Sequence, residues 1–271
     1  MTIPADIPER IDIPAAWIGP DMAAHVERWR WSLSREELGE LEATARGFLS
    51  TYGGDLTQLS PDRFALPTLE PKLRRLRETL IHGIGFEVIR GIPVHNVSEE
   101  LASTMFCGLG SHLGSARSQN AKGDLLGHVR DVGADSRDPN VRIYQTHERQ
   151  TFHTDSSDVV GLLCLNEARE GGDSLLVSAV TMFDRLANDP RLDFTMRLEP
   201  GDMQFVYNHS LLHDRTAFVD WPEPERRRHL LRLWLAVPGD RPLPPSFAQR
   251  YGSIEVGNRG GIVVRRATVG A

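Results

Sequence analysis

The sequence lacks most features of secreted, membrane-spanning and disulfide-stabilised proteins. Its 271 residues include only two cysteines, Cys107 and Cys164, and both stand in apolar segments without metal-site spacing. This usage predicts two buried free thiols in a reducing compartment. No apolar run approaches the ~18 residues of a transmembrane helix, and no basic segment precedes an apolar one at the N-terminus, as in a secretion signal. We therefore predict a cytoplasmic location and no membrane partner.

Excess positive charge is also missing. The 31 lysines and arginines are outnumbered by 37 aspartates and glutamates, which gives a net charge of −6. Lys72 and Lys122 are the only lysines, so arginine supplies almost all of the positive charge. Nucleic-acid-binding domains usually present a basic face. We therefore predict no nucleic-acid partner, whereas the sequence does not predict the oligomeric state.

No internal repeat and no long low-complexity linker divides the chain, so residues 1–271 are predicted to form a single domain. Apolar residues recur with a helical period over 21–51, where "SREE" forms a capping box, and again over 69–82 and 98–113. A further helical stretch is predicted around 181–198. The helices therefore fall mostly in the first 115 residues.

Beyond these helices, the pattern changes to short apolar segments separated by polar turns. Strands are predicted at 85–94, 126–131, 141–146, 158–165, 174–179, 203–207 and 229–237. Many short strands of this kind indicate a sandwich or a barrel. We therefore predict a mainly β, α+β fold in which helices pack outside an antiparallel β core.

Two strong metal-binding groups stand just before one of these apolar segments. His153 and Asp155 are separated by one residue and precede the run 158–165. Side chains at positions i and i+2 of a strand point to the same face, so this pair can bind one ion together. Because His-x-Asp also occurs as a solvated surface pair, a third ligand is needed to identify a site.

His209 and His213, after the predicted strand 203–207, are the candidates for that ligand. Two imidazoles and one carboxylate form the facial triad of non-haem Fe(II) oxygenases, which leaves coordination positions open. A zinc-binding His-Glu-x-x-His helix is disfavoured, because Ser210 stands where that motif needs its Glu.

Arginines alternate with an apolar residue along the last predicted strand, where Arg228, Leu230 and Arg232 share one face. An unpaired buried charge is costly, so the two guanidinium groups either pair with structural acids or bind an anion. Arginine offers a planar fork that binds a carboxylate through two hydrogen bonds. The pattern leaves both interpretations open.

In chain order, these motifs resemble the TauD/TfdA (taurine dioxygenase-like) family of Fe(II)/2-oxoglutarate-dependent oxygenases. The resemblance rests on His153-x-Asp155, on His213, and on an arginine about fifteen residues beyond His213. "GFEVIRGIPV" (85–94) resembles an early strand of the family, and "EGGDS" (170–174) resembles its Gly-Gly-x-Thr/Ser element. The resemblance implies a double-stranded β-helix, or jelly roll.

The resembling segment runs from about residue 80 to 237. The implied jelly-roll core occupies about 81–240, after an N-terminal helical region of about 1–80. By the same resemblance, His213 is the third iron ligand rather than His209, because an Asn five positions earlier and the interval to the arginine strand fit the family pattern.

The resemblance also implies a cosubstrate site. His153, Asp155 and His213 would hold Fe(II), while Arg228 and the hydroxyl of Ser174 would hold the distal carboxylate of 2-oxoglutarate. Arg232 is similar to a second family arginine, which faces cosubstrate or substrate. Arg227 is the rival of Arg228 by spacing, but it alternates to the opposite face of the strand.

The implied reaction uses O2 and 2-oxoglutarate, releases succinate and CO2, and hydroxylates a C–H bond of a small organic acid, amino acid or natural-product intermediate. Asp155 argues for oxygen insertion, since halogenating relatives lack that ligand. Two alternatives stay open: a zinc- or manganese-dependent hydrolase or isomerase on a cupin-like barrel, and a non-enzymatic binding protein. A hydrolase would not need the arginine strand, and the intact set His153, Asp155, His213 and Arg228 speaks against a binding protein with a degenerate site.

The residues that contact the substrate are not predicted. Gln119, His128, Tyr144 and Arg149 lie in the region from which the family lines its pocket, but each is as readily structural. Asp158 is predicted to point away from His153 and to cap or pair locally.

Overall fold

The computed structural model of the chain describes residues 13–138, 141–179 and 194–262. Its helices are α1 Gly19–Ala24, α2 Arg35–Tyr52, α3 Glu70–His82, α4 Glu99–Ser111 and α5 Ala248–Tyr251. Its strands are β1 Arg30–Ser32, β2 Phe86–Arg90, β3 Ser115–Ala116, β4 Leu126–Val129, β5 Gln150–His153, β6 Val159–Asn166, β7 Glu170–Gly171, β8 Ser174–Ser178, β9 Phe194–Met196, β10 Met203–Tyr207, β11 Leu211–Arg215, β12 Phe218–Val219 and β13 His229–Ala236. No helix in these ranges is long and apolar enough to cross a bilayer.

The strands pair into two main sheets. The larger sheet has the order β1-β2-β10-β6-β13-β3, with β4 also paired to β13, and the smaller has the order β5-β11-β8-β9. Strands β7 and β12 form a separate pair. Within the described ranges, every pairing is antiparallel except that of β1 with β2. The predicted antiparallel core is confirmed.

Strand β13 separates two hydrophobic cores by the alternation of its side chains. Leu231 and Leu233 are buried in the core that includes helices α2, α3 and α4. Leu230 and Trp234 are buried in the core between the two sheets. Burying one leucine stabilises a fold by about 1.5–3 kcal/mol, so Leu231 and Leu233, which face the helices, hold this strand in place. Residue 232 is thereby directed to the inner face, as the sequence predicted.

Helix α2 begins at the predicted capping box. Ser34 Oγ accepts a hydrogen bond from the Glu37 N–H at 3.2 Å, and the Glu37 carboxylate accepts one from the Ser34 N–H at 2.8 Å. The helix ends at Gly53, whose φ of 59° is a left-handed conformation that favours glycine. Helices α3 and α4 agree with prediction to within two residues, as do strands β4, β6, β8, β10 and β13.

The prediction of helical structure throughout 21–51 is wrong at β1. This strand pairs in parallel with β2, and Trp31 Nε1 donates a hydrogen bond to the Glu87 carboxylate at 2.7 Å. The segment "RWRWS" alternates polar and aromatic residues, which is a strand period, and the tertiary pairing selects it over the helical one.

The predicted strand 141–146 is also wrong, because Ile143–Gln145 is a 3-10 turn. The Gln145 side chain closes this turn by accepting a hydrogen bond from the Arg142 N–H at 3.1 Å. Of the helix predicted around 181–198, the part at 194–196 is strand β9, which pairs with β8. The part before it lies outside the described residues.

The C-terminal segment is attached by a buried ion network. Arg259 is fully buried, and it donates through Nε to Asp158 Oδ1 at 2.7 Å and through Nη2 to Asp240 Oδ2 at 2.6 Å. His209 Nε2 lies 2.8 Å from the same oxygen of Asp158. The prediction that Asp158 pairs locally is wrong, because these partners are 51 and 101 residues away in the chain.

We expect Arg259→Ala to lower the free energy of unfolding by about 3–5 kcal/mol, because removing one partner of a buried ion pair leaves the other charges uncompensated. Urea unfolding followed by circular dichroism measures the loss. Arg250→Ala removes an exposed guanidinium from the same segment and is the matched control, expected to change stability by less than about 0.5 kcal/mol. Equal losses in the two variants would contradict the assigned role of the network.

Candidate metal centre

Two antiparallel strands bring the histidines of the candidate centre together. His153 ends β5 and lies directly opposite His213, which stands within β11 rather than after β10. Their ring centroids are 4.3 Å apart, and Asp155 Oδ2 lies 3.9 Å from His213 Nε2. One ligand atom from each of the three residues falls within 4.8 Å of the others. The structure thus brings together the three side chains that the sequence selected.

Asn208 holds the loop that carries the carboxylate. Its Oδ1 accepts a hydrogen bond from the Asp155 N–H at 3.3 Å, and its Nδ2 donates to the Ser157 carbonyl at 2.9 Å. Asn208 belongs to the turn between β10 and β11, so one turn positions both the Asp155 loop and the strand of His213. His209 in the same turn points instead into the Asp158 network, where Arg259 already balances the acidic groups.

Both imidazoles are in a state suited to metal binding. His153 Nδ1 lies 2.8 Å from the Thr151 carbonyl, which can only accept, so Nδ1 carries a hydrogen and Nε2 is the nitrogen that can face a metal. The Gln150 amide lies 3.0 Å from that Nε2. Burial, together with the neighbouring His153, lowers the pKa of His213 to about 3, so its ring is neutral at neutral pH.

The carboxylate of Asp155 is kept ionised by its neighbours. Burial alone would raise its pKa, but the positive charge of Arg232 leads the interactions that outweigh burial and lower the pKa below its usual value. Arg232 Nη1 lies 3.5 Å from Asp155 Oδ2, and Trp234 Nε1 donates to that oxygen at 2.7 Å. Two neutral imidazoles and one carboxylate fit Fe(II) in a facial triad.

Arg228 lines the same cavity as this triad and as Ser174. Its side chain is buried, and burial lowers its pKa to about 10. Nη2 donates to the Gly172 carbonyl at 3.3 Å, whereas the buried Nη1 has no hydrogen-bond partner among the described residues. A buried donor without a partner costs about 1–3 kcal/mol, so this group fits an anionic ligand that enters the cavity.

The Gly-Gly element is required by the position of that arginine. Gly172 has φ of +76°, and a Cβ there would lie 2.8 Å from Arg228 Nε. Gly171 has φ of +70°, and its Cβ would lie 2.2 Å from the Ala217 carbonyl oxygen. A side chain at Gly172 would therefore displace the arginine, and one at Gly171 would displace the neighbouring strand.

Arg215 was missed by the sequence analysis. It lies opposite Ser174 in the β8–β11 pairing and lines the cavity, and its buried Nε and Nη1 have no partner among the described residues. Burial and the nearby Arg228 lower its pKa to about 10. The guanidinium carbons of Arg215 and Arg228 lie 4.9 and 5.3 Å from the centre of the Phe218 ring. The feature of the sequence that could have indicated Arg215 is its i+2 spacing from His213, which places both side chains on one face of the strand.

Arg232 lies at the iron-ligand end of the cavity. Its Nε donates to Gln119 Oε1 at 2.8 Å, and its guanidinium carbon is 4.7 Å from the centre of the Tyr144 ring. Of the four residues considered for the substrate pocket, Tyr144 lines this cavity and Gln119 orients Arg232. Arg149 instead pairs with Asp214 at 2.5 Å. The fourth, His128, does not line the cavity; its Nδ1 lies 2.9 Å from His229 Nε2.

Comparison with known sequences gives the family. Residues 53–191 and 178–234, more than half of the chain, match the family described as "Taurine catabolism dioxygenase TauD, TfdA family". The chain belongs to the TauD/TfdA family. This dioxygenase is therefore an oxidoreductase that uses Fe(II), 2-oxoglutarate and O2, and the predicted enzyme class and cofactors are confirmed. The hydrolase and binding-protein alternatives lose their support.

Two relatives of this TauD/TfdA dioxygenase come from a bacterium and a fungus. FR-33289 synthase of Streptomyces rubellomurinus is 26% identical over 257 residues, in an alignment that covers 65% of this chain and 76% of that protein. The taurine hydroxylase-like protein SAT17 of Stachybotrys chartarum is 31% identical over 178 residues, covering 63% of this chain. The match takes in 46% of SAT17, less than half of its length.

Solved structures of similar fold are also iron oxygenases. The asparagine oxygenase AsnO matches with a TM-score of 0.58 at 18% identity, over 77% of this chain and 93% of that one. The non-haem iron oxygenase OrfP, in complex with Fe, succinate and (3S)-hydroxy-L-Arg, matches with a TM-score of 0.60 at 14% identity, over 76% and 94% of the two chains. At these identities the similarity concerns the fold, and it confirms the jelly-roll core with flanking helices.

Proposed function

We propose that this TauD/TfdA dioxygenase hydroxylates a C–H bond of a small organic molecule, with Fe(II) held by His153, Asp155 and His213. One observation carries the assignment of the site: the triad and the buried Arg228, whose Nη1 has no hydrogen-bond partner among the described residues, line a single cavity. When bound, Fe(II) with O2 and 2-oxoglutarate supplies the oxidising power, and 2-oxoglutarate leaves as succinate and CO2.

The chain's own residues orient and charge this site. Thr151 fixes the His153 tautomer, and Trp234 and Arg232 keep Asp155 ionised and in place. Partners of this kind commonly change metal affinity 10–100-fold when they are removed. Val129, Val160 and Leu230 of the core between the sheets give the cavity an apolar wall, which would limit the access of water to the reacting groups.

For 2-oxoglutarate, we propose that Arg228 and Ser174 hold the distal carboxylate and that Arg215 is a second cation at the same end. Three buried donors that have no partner among the described residues support this arrangement: Nη1 of Arg228, and Nε and Nη1 of Arg215. Arg232 lies beside Asp155, so we assign it to the opposite end, where it can contact the iron-bound part of the cosubstrate or an acidic substrate.

The proposed substrates are small organic acids, amino acids or natural-product intermediates. A synthase among the relatives and the hydroxylated amino acids bound to structural neighbours support this class. The net charge of −6 argues against nucleic acid, and the two buried free thiols fit the cytoplasm. The single domain, with helices to about residue 80 and the jelly roll to about 240, stays a prediction.

A substrate screen tests the proposed function. The full chain is incubated with Fe(II), 2-oxoglutarate, O2 and a panel of small acids and amino acids, and succinate and products are measured together. We expect at least one compound to raise succinate formation above the substrate-free rate and to gain one oxygen atom. The His153→Ala variant should lose both signals. Product formation that does not consume 2-oxoglutarate would contradict the proposal.

A further inference from the structure

A second group of metal-binding side chains lies on the outer face of β13, away from the proposed iron site. His229 begins this strand, His128 lies on the adjacent β4, and Glu99 is in the first turn of α4. One ligand atom from each of the three residues falls within 4.8 Å of the others. His128 stands opposite Leu231, whose side chain faces the helices. The group is therefore on the opposite side of β13 from the cavity.

The distances within this group fit a tetrahedral ion. His128 Nδ1 lies 2.9 Å from His229 Nε2 and 3.8 Å from Glu99 Oε1. Metal–ligand bonds of about 2.0–2.1 Å at tetrahedral angles separate ligand atoms by about 3.3 Å, and the two observed distances bracket that value. Small side-chain rotations would therefore make the three atoms equidistant from one ion.

The protonation and access of the group also suit a metal. His128 Nδ1 and His229 Nε2 lie within hydrogen-bond distance of each other, and burial lowers the pKa of His229 to about 4, so the His229 ring is neutral at neutral pH. The side chains of His128 and Glu99 are 44% and 55% exposed, so an ion can enter from solvent. A hydrogen between the two rings would move to the other nitrogen of its own ring on binding, because a neutral imidazole binds a metal through its unprotonated nitrogen. Arg130 is the nearby positive charge that opposes binding, and Glu99 offsets it.

We propose that Glu99, His128 and His229 form a second metal site that binds Zn²⁺, with water as the fourth ligand. Two imidazoles and a carboxylate are suited to this ion. The ion would link α4 to β4 and β13, one residue from Arg228, and would therefore stabilise the strand that carries Arg232 and begins next to Arg228.

The experiment uses Zn²⁺ as its only added ligand. The proposed iron site must first be removed by His153→Ala, because two imidazoles and a carboxylate would also bind Zn²⁺. In the full-length His153→Ala variant, equilibrium dialysis at micromolar Zn²⁺ is expected to give one bound equivalent and a higher melting temperature. Adding His128→Ala or Glu99→Gln should weaken binding at least 10-fold. Adding His82→Ala, which removes an exposed histidine beside Glu78, should leave binding unchanged.

The proposal would be overturned if the His153→Ala variant bound no zinc, or if its binding were the same with and without His128. Circular dichroism checks folding, and His128→Gln replaces any alanine variant that fails to fold. The His128→Ala variant of the otherwise native chain should keep its Fe(II)- and 2-oxoglutarate-dependent activity. Failure of the zinc site is therefore distinguishable from failure of the iron site.

Discussion

The His213→Ala variant is expected to lose more than about 100-fold in Fe(II) affinity and to have no measurable oxygenase activity. Removing a partner of a metal ligand commonly costs 10–100-fold in affinity, and removing a ligand itself costs more. Alanine at 213 leaves no buried charge unpaired, because the imidazole is neutral there, so the fold should survive. Iron content after anaerobic loading and gel filtration measures the loss.

The matched control is His209→Ala, a histidine four residues away in the same hairpin. Its imidazole contacts Asp158 rather than the triad, so this variant should lose stability but keep its iron. Iron content is compared per folded chain, with folding followed by circular dichroism. The assignment of the third ligand would be reversed if His209→Ala lost iron while His213→Ala retained it.

Arg228→Ala is expected to raise the dissociation constant of 2-oxoglutarate by at least roughly 30-fold, since truncating one partner of a buried charge pair costs about 2–5 kcal/mol. Iron affinity should be nearly unchanged, because Arg228 is not among the three side chains that gather around the metal position. Anaerobic titration of the iron-loaded protein with 2-oxoglutarate measures both quantities.

A series of variants separates a specific clamp from a general effect of charge. Arg227→Ala makes the same charge change one residue away, on an exposed side chain that contacts the Trp221 and Pro222 carbonyls, and should leave 2-oxoglutarate binding within about twofold. Arg215→Ala and Ser174→Ala should each weaken binding, by less than Arg228→Ala. Equal effects of Arg227→Ala and Arg228→Ala would contradict the proposed clamp.

The parts of the site that local spacing encodes were predictable from the sequence. His153 and Asp155 are two residues apart, and Arg228 and Arg232 alternate along one strand, so a period of two places each pair on one face. Resemblance to the family then linked these pairs across the chain. The many short segments predicted a sandwich or a barrel, and the resemblance to the family then implied the jelly roll.

Contacts between distant segments were not predictable. Nothing near Asp158 in the sequence indicates that Arg259 neutralises it from 101 residues away, and nothing in "RWRWS" indicates that β2 is available as a pairing partner. Arg215 resembles an ordinary strand arginine until the fold shows that its buried Nε and Nη1 have no partner among the described residues. These features depend on tertiary packing, which single-sequence periodicity does not contain.

The most direct test of the proposed centre is the visible spectrum of the anaerobic protein with Fe(II) and 2-oxoglutarate. If His153, Asp155 and His213 hold iron beside an arginine-lined cosubstrate cavity, the native chain should show a weak charge-transfer band that is absent from His153→Ala. A folded, iron-loaded native chain that shows no such band at saturating 2-oxoglutarate, or a His153→Ala variant that keeps it, would contradict the assignment.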